Sequence, residues 1–88
     1  MSQLQFSEDA WLDYLSLQSE DKQATKKLPA LIKEVMRDPF DGTGKPEQLK
    51  GYGGEYWSRH INHKDRLVYK FIDDVLYIVS CKNHYDDK

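Results

Sequence analysis

One stretch, YWSRHINHKDRLVYKF from 56 to 71, constrains the fold of this chain more than any other. In each half of the stretch, apolar or aromatic residues alternate with polar ones, which is the period of a β-strand that buries one face. The polar segment from Asn62 to Asp65 is typical of a short connection. The sequence therefore predicts an antiparallel hairpin, whose first strand has Trp57, Arg59 and Ile61 on one face and Tyr56, Ser58 and His60 on the other.

The predicted hairpin also carries positive charge. Arg59 and Arg66 would both stand on rigid strand backbone, close to each other. Two fixed guanidinium groups suit an anionic ligand, phosphate above all, because each can form paired hydrogen bonds to its oxygens. We therefore expect the hairpin to contribute to a phosphate-binding site.

Two helices are predicted ahead of the hairpin. Leu4 to Phe6 reads as a brief opening strand, and Ser7 follows it where a helix N-cap belongs. Helical spacing of apolar residues predicts a first helix to about Ser19, with this apolar face: Ala10, Trp11, Tyr14 and Leu15.

Asp21 can cap a second helix, which the pair Asp38-Pro39 ends. Pro29 lies inside this helix and removes a backbone donor, so we expect either a kink at Pro29 or a helix that restarts there. The two helices would cover one side of the sheet.

The second half of the chain reads as a long loop followed by strands. The loop, DPFDGTGKPEQLKGYGG, contains a short strand at Gln48 to Lys50, and a loop of this length in a small domain is usually functional. After the hairpin, Asp73-Asp74 predicts a tight turn, and Val75 to Ser80 a final strand. The fold class is therefore α+β, a single domain over 1–88 in which a small antiparallel sheet packs against two N-terminal helices.

Composition and charge bear on the compartment and the partners that this chain can have. The chain has 88 residues, a formal net charge of −2 and one cysteine, Cys81, which cannot form an intramolecular disulfide. No leader and no membrane-spanning run are apparent, so we expect a cytoplasmic protein without a membrane partner. The first helix is acidic and the middle of the chain is basic, a separation that permits nucleic-acid binding despite the net negative charge.

Three kinds of group in this chain could together cleave RNA without a metal or another cofactor. The reaction needs a base for the 2′-hydroxyl, cations on the phosphate and an acid for the leaving 5′-oxygen. Glu47 supplies a carboxylate, His84 titrates near neutrality, and the cations are Lys50, Arg59 and Arg66. Tyr85 could stack on a base. Taken singly, these residues have simpler explanations. Glu47 would be a solvated loop carboxylate, Arg66 would lie over Trp57 or Tyr69, and the pair His84-Tyr85 would belong to a surface tail. The H-x-x-H spacing of His60 and His63 is a poor metal signature.

The three segments DPFDGTGKPEQLK, YWSRHINHKDRLVYKF and CKNHY, preceded by FSEDAWLDYL, resemble the YoeB/Txe toxins of the RelE superfamily in bacterial type II toxin-antitoxin systems. The resemblance covers nearly the whole chain. It implies a microbial-RNase-like fold and a ribosome-dependent endoribonuclease that cuts mRNA in the ribosomal A site and stops translation. It also implies these partners: the ribosome with its 16S rRNA, a cognate YefM-like antitoxin and a homodimer.

The resemblance further assigns roles to residues. Glu47 matches the general base, Arg66 the phosphate-binding arginine and His84 the general acid. The supporting positions around phosphate and base are Lys50, Arg59 and Tyr85, and no metal is implied.

This chain departs from the family pattern at three places. His60 stands where a second arginine is common, Asp65 precedes Arg66, and Asp86-Asp87-Lys88 extends the end. We expect His60 either to weaken phosphate binding or to make it more sensitive to pH. Asp65 places a carboxylate beside Arg66, and we expect the two anions of the C-terminal extension to cost RNA affinity.

Two other functions remain open from the sequence: a non-catalytic toxin on the same scaffold, such as the ParE-type gyrase inhibitors, and a plain binding module. The ParE-type relatives lack the combination of Glu47, Arg66, His84 and Tyr85. The antitoxin would be acidic and partly disordered, and would fold against the basic face of this chain.

Overall fold

A computed structural model of the chain describes residues 3–49, 55–62 and 64–82. Its elements follow the predicted order of one strand, two helices and further strands. Their bounds are β1 Gln3–Phe6, α1 Glu8–Glu20, α2 Lys22–Arg37, β2 Glu47–Gln48, β3 Tyr56–His60, β4 Arg66–Ile72 and β5 Val75–Ser80. The predicted α+β class is confirmed.

The strands form one sheet in the order β1-β5-β4-β3-β2. The pairs from β2 to β5 are antiparallel, and the predicted hairpin of β3 and β4 is among them. At the far edge, β1 runs parallel to β5, so the sheet is mixed and not wholly antiparallel as predicted. Most of the chain separates β1 from β5, and without a tight turn between them the pattern could not give their relative direction.

The strand register divides the side chains between two faces. Residues opposite each other on adjacent strands point to the same face. Arg59 pairs with Leu67, and this face packs against α1 and α2, so we call it the helix face. His60 pairs with Arg66 on the opposite face, which we call the outer face. The outer-face residues of the described strands include Glu47, Tyr56, Ser58, His60, Arg66, Val68, Lys70 and Tyr77.

The hydrophobic core lies between the helices and the helix face. Its buried side chains from the helices are Ala10, Leu17, Ala24, Leu28, Leu31, Ile32 and Val35, and those from β4 and β5 are Leu67, Tyr69, Leu76 and Ile78. Each large apolar side chain buried in this way contributes roughly 1.5–3 kcal/mol. The core therefore fixes the sheet from its helix face. On the outer face, Ser58 and Val68 are also buried, whereas the aromatic and charged side chains around them on β3, β4 and β5 are half-buried.

The predicted helix caps and the last turn are confirmed. Ser7 and Asp21 each accept a hydrogen bond from a backbone N–H in the first turn of the helix that follows. Asp73 and Asp74 have φ angles of 52° and 64°, the left-handed conformation expected of the turn before β5. Local chemistry alone specified these positions.

The predicted apolar face of α1 is wrong in part. Trp11 and Leu15 are 49% and 41% exposed, whereas Asp13 and Leu17 are buried. Asp13 lies in the buried stripe because its Oδ2 accepts a hydrogen bond from the backbone N–H of Cys81 at 3.1 Å. The buried stripe of α1 is therefore Ala10, Asp13 and Leu17, which hydropathy alone does not predict because it includes a carboxylate.

The second helix is continuous through Pro29, so the predicted restart at that residue is wrong. The short strand predicted at Gln48 to Lys50 begins one residue earlier, at Glu47, and ends at Gln48. Lys50 lies outside the described residues. In the part of the chain that the structure describes, no helix is long and apolar enough to cross a membrane.

Candidate active site on the outer face of the sheet

Glu47 and Arg66 come together on the outer face. β2 pairs with one side of β3, with Glu47 opposite Ser58, and β4 pairs with the other side, with Arg66 opposite His60. The two side chains therefore flank β3 on the same face. Arg66 Nη1 lies 3.8 Å from Glu47 Oε1.

This pair is accessible, and the contact between its two charged groups is long. The side chain of Glu47 is 64% exposed and that of Arg66 is 29% exposed. Their separation of 3.8 Å is longer than the ~2.7–2.9 Å of a charge-assisted hydrogen bond. A phosphate bound to the guanidinium would bring its ester group close to a carboxylate that can accept a proton. The arrangement places a carboxylate beside a guanidinium. The roles of Glu47 as a base and Arg66 as a phosphate-binding residue stay predictions.

The three other predicted site residues, Lys50, His84 and Tyr85, lie outside the described residues. Their assignments stay predictions that rest on the sequence.

The structure corrects the prediction for Arg59. Its side chain lies on the helix face, opposite to that of Arg66, and is 0% exposed. All five N–H groups of its guanidinium find acceptors, which is the full donor capacity of an arginine. Those acceptors are Tyr69 Oη at 3.2 Å, Glu34 Oε1 at 2.9 Å, and the carbonyl oxygens of Thr43 at 3.3 Å, Asp38 at 2.5 Å and Asp41 at 2.6 Å. Arg59 therefore has no donor left for a phosphate.

The acceptors of Arg59 show what this residue does instead. Three of them are backbone carbonyls of the loop that follows α2, and Tyr69 Oη donates to a fourth, that of Pro39, at 2.6 Å. Burial raises the pKa of Tyr69 more than its contacts with Arg59 lower it, so the hydroxyl stays protonated as a donor. Arg59 and Tyr69 together fasten the loop to the sheet just before it reaches Glu47.

Two glycines let the loop approach β3 so closely. At Gly44, which has a φ of 88°, a Cβ atom would lie 2.9 Å from the carbonyl oxygen of His60. At Gly42, with a φ of 125°, it would lie 2.7 Å from Glu34 Oε1 and 2.9 Å from Arg59 Nη1. Side chains at these positions would force the loop away from the arginine.

Glu34 completes the fastening from α2, and sequence reasoning missed it. Its Oε1 accepts hydrogen bonds from the backbone N–H of Thr43 at 2.6 Å and from Arg59, and its Oε2 accepts one from the Thr43 hydroxyl at 3.0 Å. The hydrogen bond from the Thr43 backbone, together with that from its hydroxyl and the charge of Arg59, lowers the pKa of Glu34. The sequence could have pointed to Glu34 only through the rule that a buried arginine needs a carboxylate partner. The chain has several carboxylates that could meet this need, so the rule does not select Glu34.

The comparison with protein families identifies the scaffold. A sequence model of the family described as "YoeB-like toxin of bacterial type II toxin-antitoxin system" matches residues 6–85. The chain belongs to this family. The resemblance found in the sequence is thereby confirmed.

Known family members resemble the chain over almost their full length. The protein named toxin YoeB of Synechocystis sp. is 52% identical over 91% of this chain and 93% of its own. The structure described as a YoeB dimer from Staphylococcus aureus has a TM-score of 0.86 and 44% identity, covering 96% of this chain and 98% of that one. The structure of a heterotetrameric YoeB-YefM toxin-antitoxin complex from the same organism has a TM-score of 0.83 and 43% identity, covering 97% of this chain and 99% of that one.

Two departures from the family pattern can be located. His60 is half-buried on the outer face beside Arg66, and its backbone N–H donates to the carbonyl of Gly44 at 2.7 Å. Asp65 is 1% exposed, and its Oδ2 accepts from Asn62 Nδ2 at 3.4 Å while its Oδ1 has no partner among the described residues. The carboxylate of Asp65 is thus buried in the hairpin turn.

Neither a reactive thiol nor a metal cluster appears in the described parts of this YoeB-like toxin. Burial raises the pKa of the Cys81 thiol to about 12, so the sulfur stays protonated and poorly nucleophilic. Within residues 3–49, 55–62 and 64–82, no three His, Cys, Asp or Glu side chains are grouped so that they could hold a metal ion.

Replacement of Arg59 by lysine tests the loop fastening. A lysine has three donors in place of five, so buried carbonyls would lose partners, and we expect Arg59→Lys to lower the free energy of unfolding by about 2–4 kcal/mol. Urea denaturation measures this loss. Arg37→Lys, at an exposed position of α2, is the matched control and should change stability by less than about 0.5 kcal/mol. Equal stability of the two variants would contradict the role of Arg59.

Acid should release the loop through Glu34. Because the pKa of Glu34 is lowered from its ordinary value of 4.5, its contribution is fully present above that value and is lost as the pH falls through the lowered pKa. The difference in unfolding free energy between wild type and Glu34→Gln should therefore be constant at roughly pH 6–8 and shrink in acid. Chemical denaturation at a series of pH values measures it. A difference that grows below pH 4.5 would show that the sign is wrong.

Proposed function

We propose that this YoeB-like toxin is a ribosome-dependent endoribonuclease that cuts mRNA in the ribosomal A site, without a metal, and so inhibits translation in the cytoplasm. The observation that carries the proposal is the meeting of Glu47 and Arg66 on the outer face, 3.8 Å apart. A carboxylate and a guanidinium so placed match two of the three chemical demands of RNA cleavage by a 2′-hydroxyl. Membership of the family supports the same reading.

The proposed reaction is a transesterification within the RNA. Glu47 takes the proton of the 2′-hydroxyl, and the 2′-oxygen attacks the adjacent phosphorus. Arg66 stabilises the charge that gathers on the phosphorane oxygens. His84 gives a proton to the 5′-oxygen as its bond to phosphorus breaks. The products are a 2′,3′-cyclic phosphate and a 5′-hydroxyl, and no co-reactant is consumed.

Lys50 and Tyr85 have supporting roles in this proposal, on the phosphate and on a base. Arg59, which the sequence placed beside them, acts at a distance: it holds the loop that delivers Glu47. Arg59 is thus a positioning residue.

A need for the ribosome agrees with how Glu47 is held. The residue lies on a strand of two residues and its side chain is mostly exposed, so the free protein fixes the base only loosely. Holding the 2′-oxygen in line for attack is worth about 7–11 kcal/mol in well-oriented systems. A ribosome that holds the codon in a fixed conformation would supply that orientation.

The proposed partner in the cell is an antitoxin, as in the Staphylococcus aureus complex with YefM. A groove of about 330 Å³ between β1, α1 and α2 offers apolar side chains, with Lys33 beside them and exposed Arg37 one turn further on. These apolar residues are Leu4, Phe6, Trp11, Tyr14, Ile32 and Met36. An acidic segment with apolar anchors fits this surface. A homodimer is a further proposed state, supported by the relative described as a dimer.

The cleavage proposal is tested in a defined translating system, by mapping the 5′ ends of mRNA fragments. Wild type should create ends within the A-site codon, only with ribosomes. Glu47→Gln and His84→Ala should each reduce the rate by about 10²- to 10⁴-fold, because proton transfer loses its donor or acceptor. Glu8→Gln, an exposed position of α1, is the matched control and should cut like wild type. Intact mRNA with wild type would contradict the proposal and favour the gyrase-inhibitor alternative.

The antitoxin surface is tested by titrating the purified antitoxin against the toxin at low and high salt. We expect the affinity to fall with salt, because Lys33 and Arg37 would face an acidic segment. Trp11→Ser should weaken binding by at least about tenfold, as expected for an aromatic anchor. Lys64→Gln, an exposed change at the hairpin turn, should leave the affinity unaltered. Binding that is indifferent to salt and to Trp11→Ser would exclude this groove as the docking surface.

A further inference from the structure

A lysine between two tyrosines forms a row across the outer face. Tyr56 on β3 pairs with Lys70 on β4, which pairs in turn with Tyr77 on β5. Lys70 Nζ lies 5.4 Å from the centroid of each ring. All three side chains are half-buried. The three strands thus bring one cation and two aromatic rings into a single row, the aromatic row.

The aromatic row has no part in the hydrophobic core. None of its three residues belongs to the core cluster or to the partly buried side chains packed against it. Cation–π contacts at partly exposed sites contribute only ~0.5–1 kcal/mol each, so stability alone is a weak reason for the row. Aromatic rings beside a cation are, however, what single-stranded nucleic-acid binding faces use for bases and phosphates.

The aromatic row is continuous with the proposed active site. Lys70 lies four residues from Arg66 along β4, which at about 3.3 Å per residue is roughly 13 Å on the same face. Tyr56 lies two residues along β3 from Ser58, the partner of Glu47. An RNA strand that places one phosphate at Arg66 and runs along β4 would therefore reach Lys70 within a few nucleotides.

We propose that Tyr56, Lys70 and Tyr77 form an accessory subsite for single-stranded RNA, which holds nucleotides next to the one that is cut. The rings of Tyr56 and Tyr77 stack on bases, and Lys70 binds the phosphate between them. The subsite rests on the proposed function, since it extends that active site along the strand. Stacking of this kind tolerates any base, so the subsite adds affinity without selecting a codon.

The distribution of apolar surface favours RNA over a protein as the occupant. The large hydrophobic side chains that are exposed in the described parts of the chain are Leu4, Trp11, Leu12, Leu15 and Phe40. Four of them lie on β1 and α1, and Phe40 packs against Trp57 in the loop region, with ring centroids 5.0 Å apart. The aromatic row offers polar-tipped rings and a charge, which suit a nucleic acid.

Binding of a labelled 2′-O-methyl RNA of about eight nucleotides, followed by fluorescence anisotropy, tests the subsite. The methyl group removes the nucleophile, so binding is read without cleavage. Tyr77→Leu and Tyr56→Leu should each raise the Kd about tenfold, whereas Tyr77→Phe and Tyr56→Phe, which keep the rings, should stay within about twofold of wild type. Lys70→Gln should raise the Kd and reduce the slope of log K against log salt by about one. Lys22→Gln, the same change on exposed α2, should alter neither.

Several results would overturn the subsite: no RNA binding by wild type, equal Kd values for wild type and the leucine variants, or an equal effect of Lys22→Gln. Weaker antitoxin binding by Tyr77→Leu and Lys70→Gln, with RNA binding intact, would assign the aromatic row to a protein partner and would overturn the subsite too.

Cleavage on ribosomes distinguishes failure of the subsite from failure of the proposed function. If the wild-type protein cuts mRNA and the variants of the aromatic row bind RNA normally, the subsite is refuted and the nuclease proposal is not. If the wild-type protein binds RNA through the aromatic row and cuts no mRNA, the nuclease proposal is refuted and the subsite is not.

Discussion

A single buried guanidinium holds the loop on which the proposed active site depends. Removing the charge of Arg59 from water costs several kcal/mol, and this cost is offset only because all five of its N–H groups are bonded. Its acceptors come from α2, from β4 and from three points of the loop. The arginine therefore joins three parts of the chain at one place. Glu47 follows four residues after Thr43, so this joint and the pairing of β2 with β3 together set its position.

The sheet carries the hydrophobic core on one face and the proposed active site on the other. The helix face carries the core and Arg59, while the outer face carries Glu47, Arg66 and the aromatic row. A loop fastened on one face thus sets the position of a carboxylate on the other. Because Glu47 stands at the end of this chain of contacts, on a strand of two residues, it is the less firmly held of the pair. That combination, a half-buried arginine beside an exposed carboxylate, suits the proposed reaction, whose geometry the ribosome would complete.

Local patterns in the sequence predicted most of the fold. The alternation in β3 and β4, the caps at Ser7 and Asp21 and the turn at Asp73-Asp74 depend on near neighbours, and the structure confirms them. The parallel pairing of β1 and the burial of Asp13 depend on residues far along the chain, and no local period reveals them. The alternation also gave the correct face for Arg59, but grouping it with Arg66 was wrong. Whether two strands present their arginines on one face depends on the register across the connection, where His60, and not Arg59, stands opposite Arg66.

The chemical identity of the cut ends tests the central claim most directly. If Glu47 activates the 2′-hydroxyl and no metal takes part, the upstream mRNA fragment must end in a 2′,3′-cyclic phosphate, and the downstream fragment must begin with a 5′-hydroxyl. Cleavage in the presence of a chelator that does not compete for the ribosome's magnesium should proceed at the same rate. Mass spectrometry of the fragments reads both ends. A 3′-hydroxyl with a 5′-phosphate would contradict the account, because attacking water would then have taken the place of the 2′-oxygen.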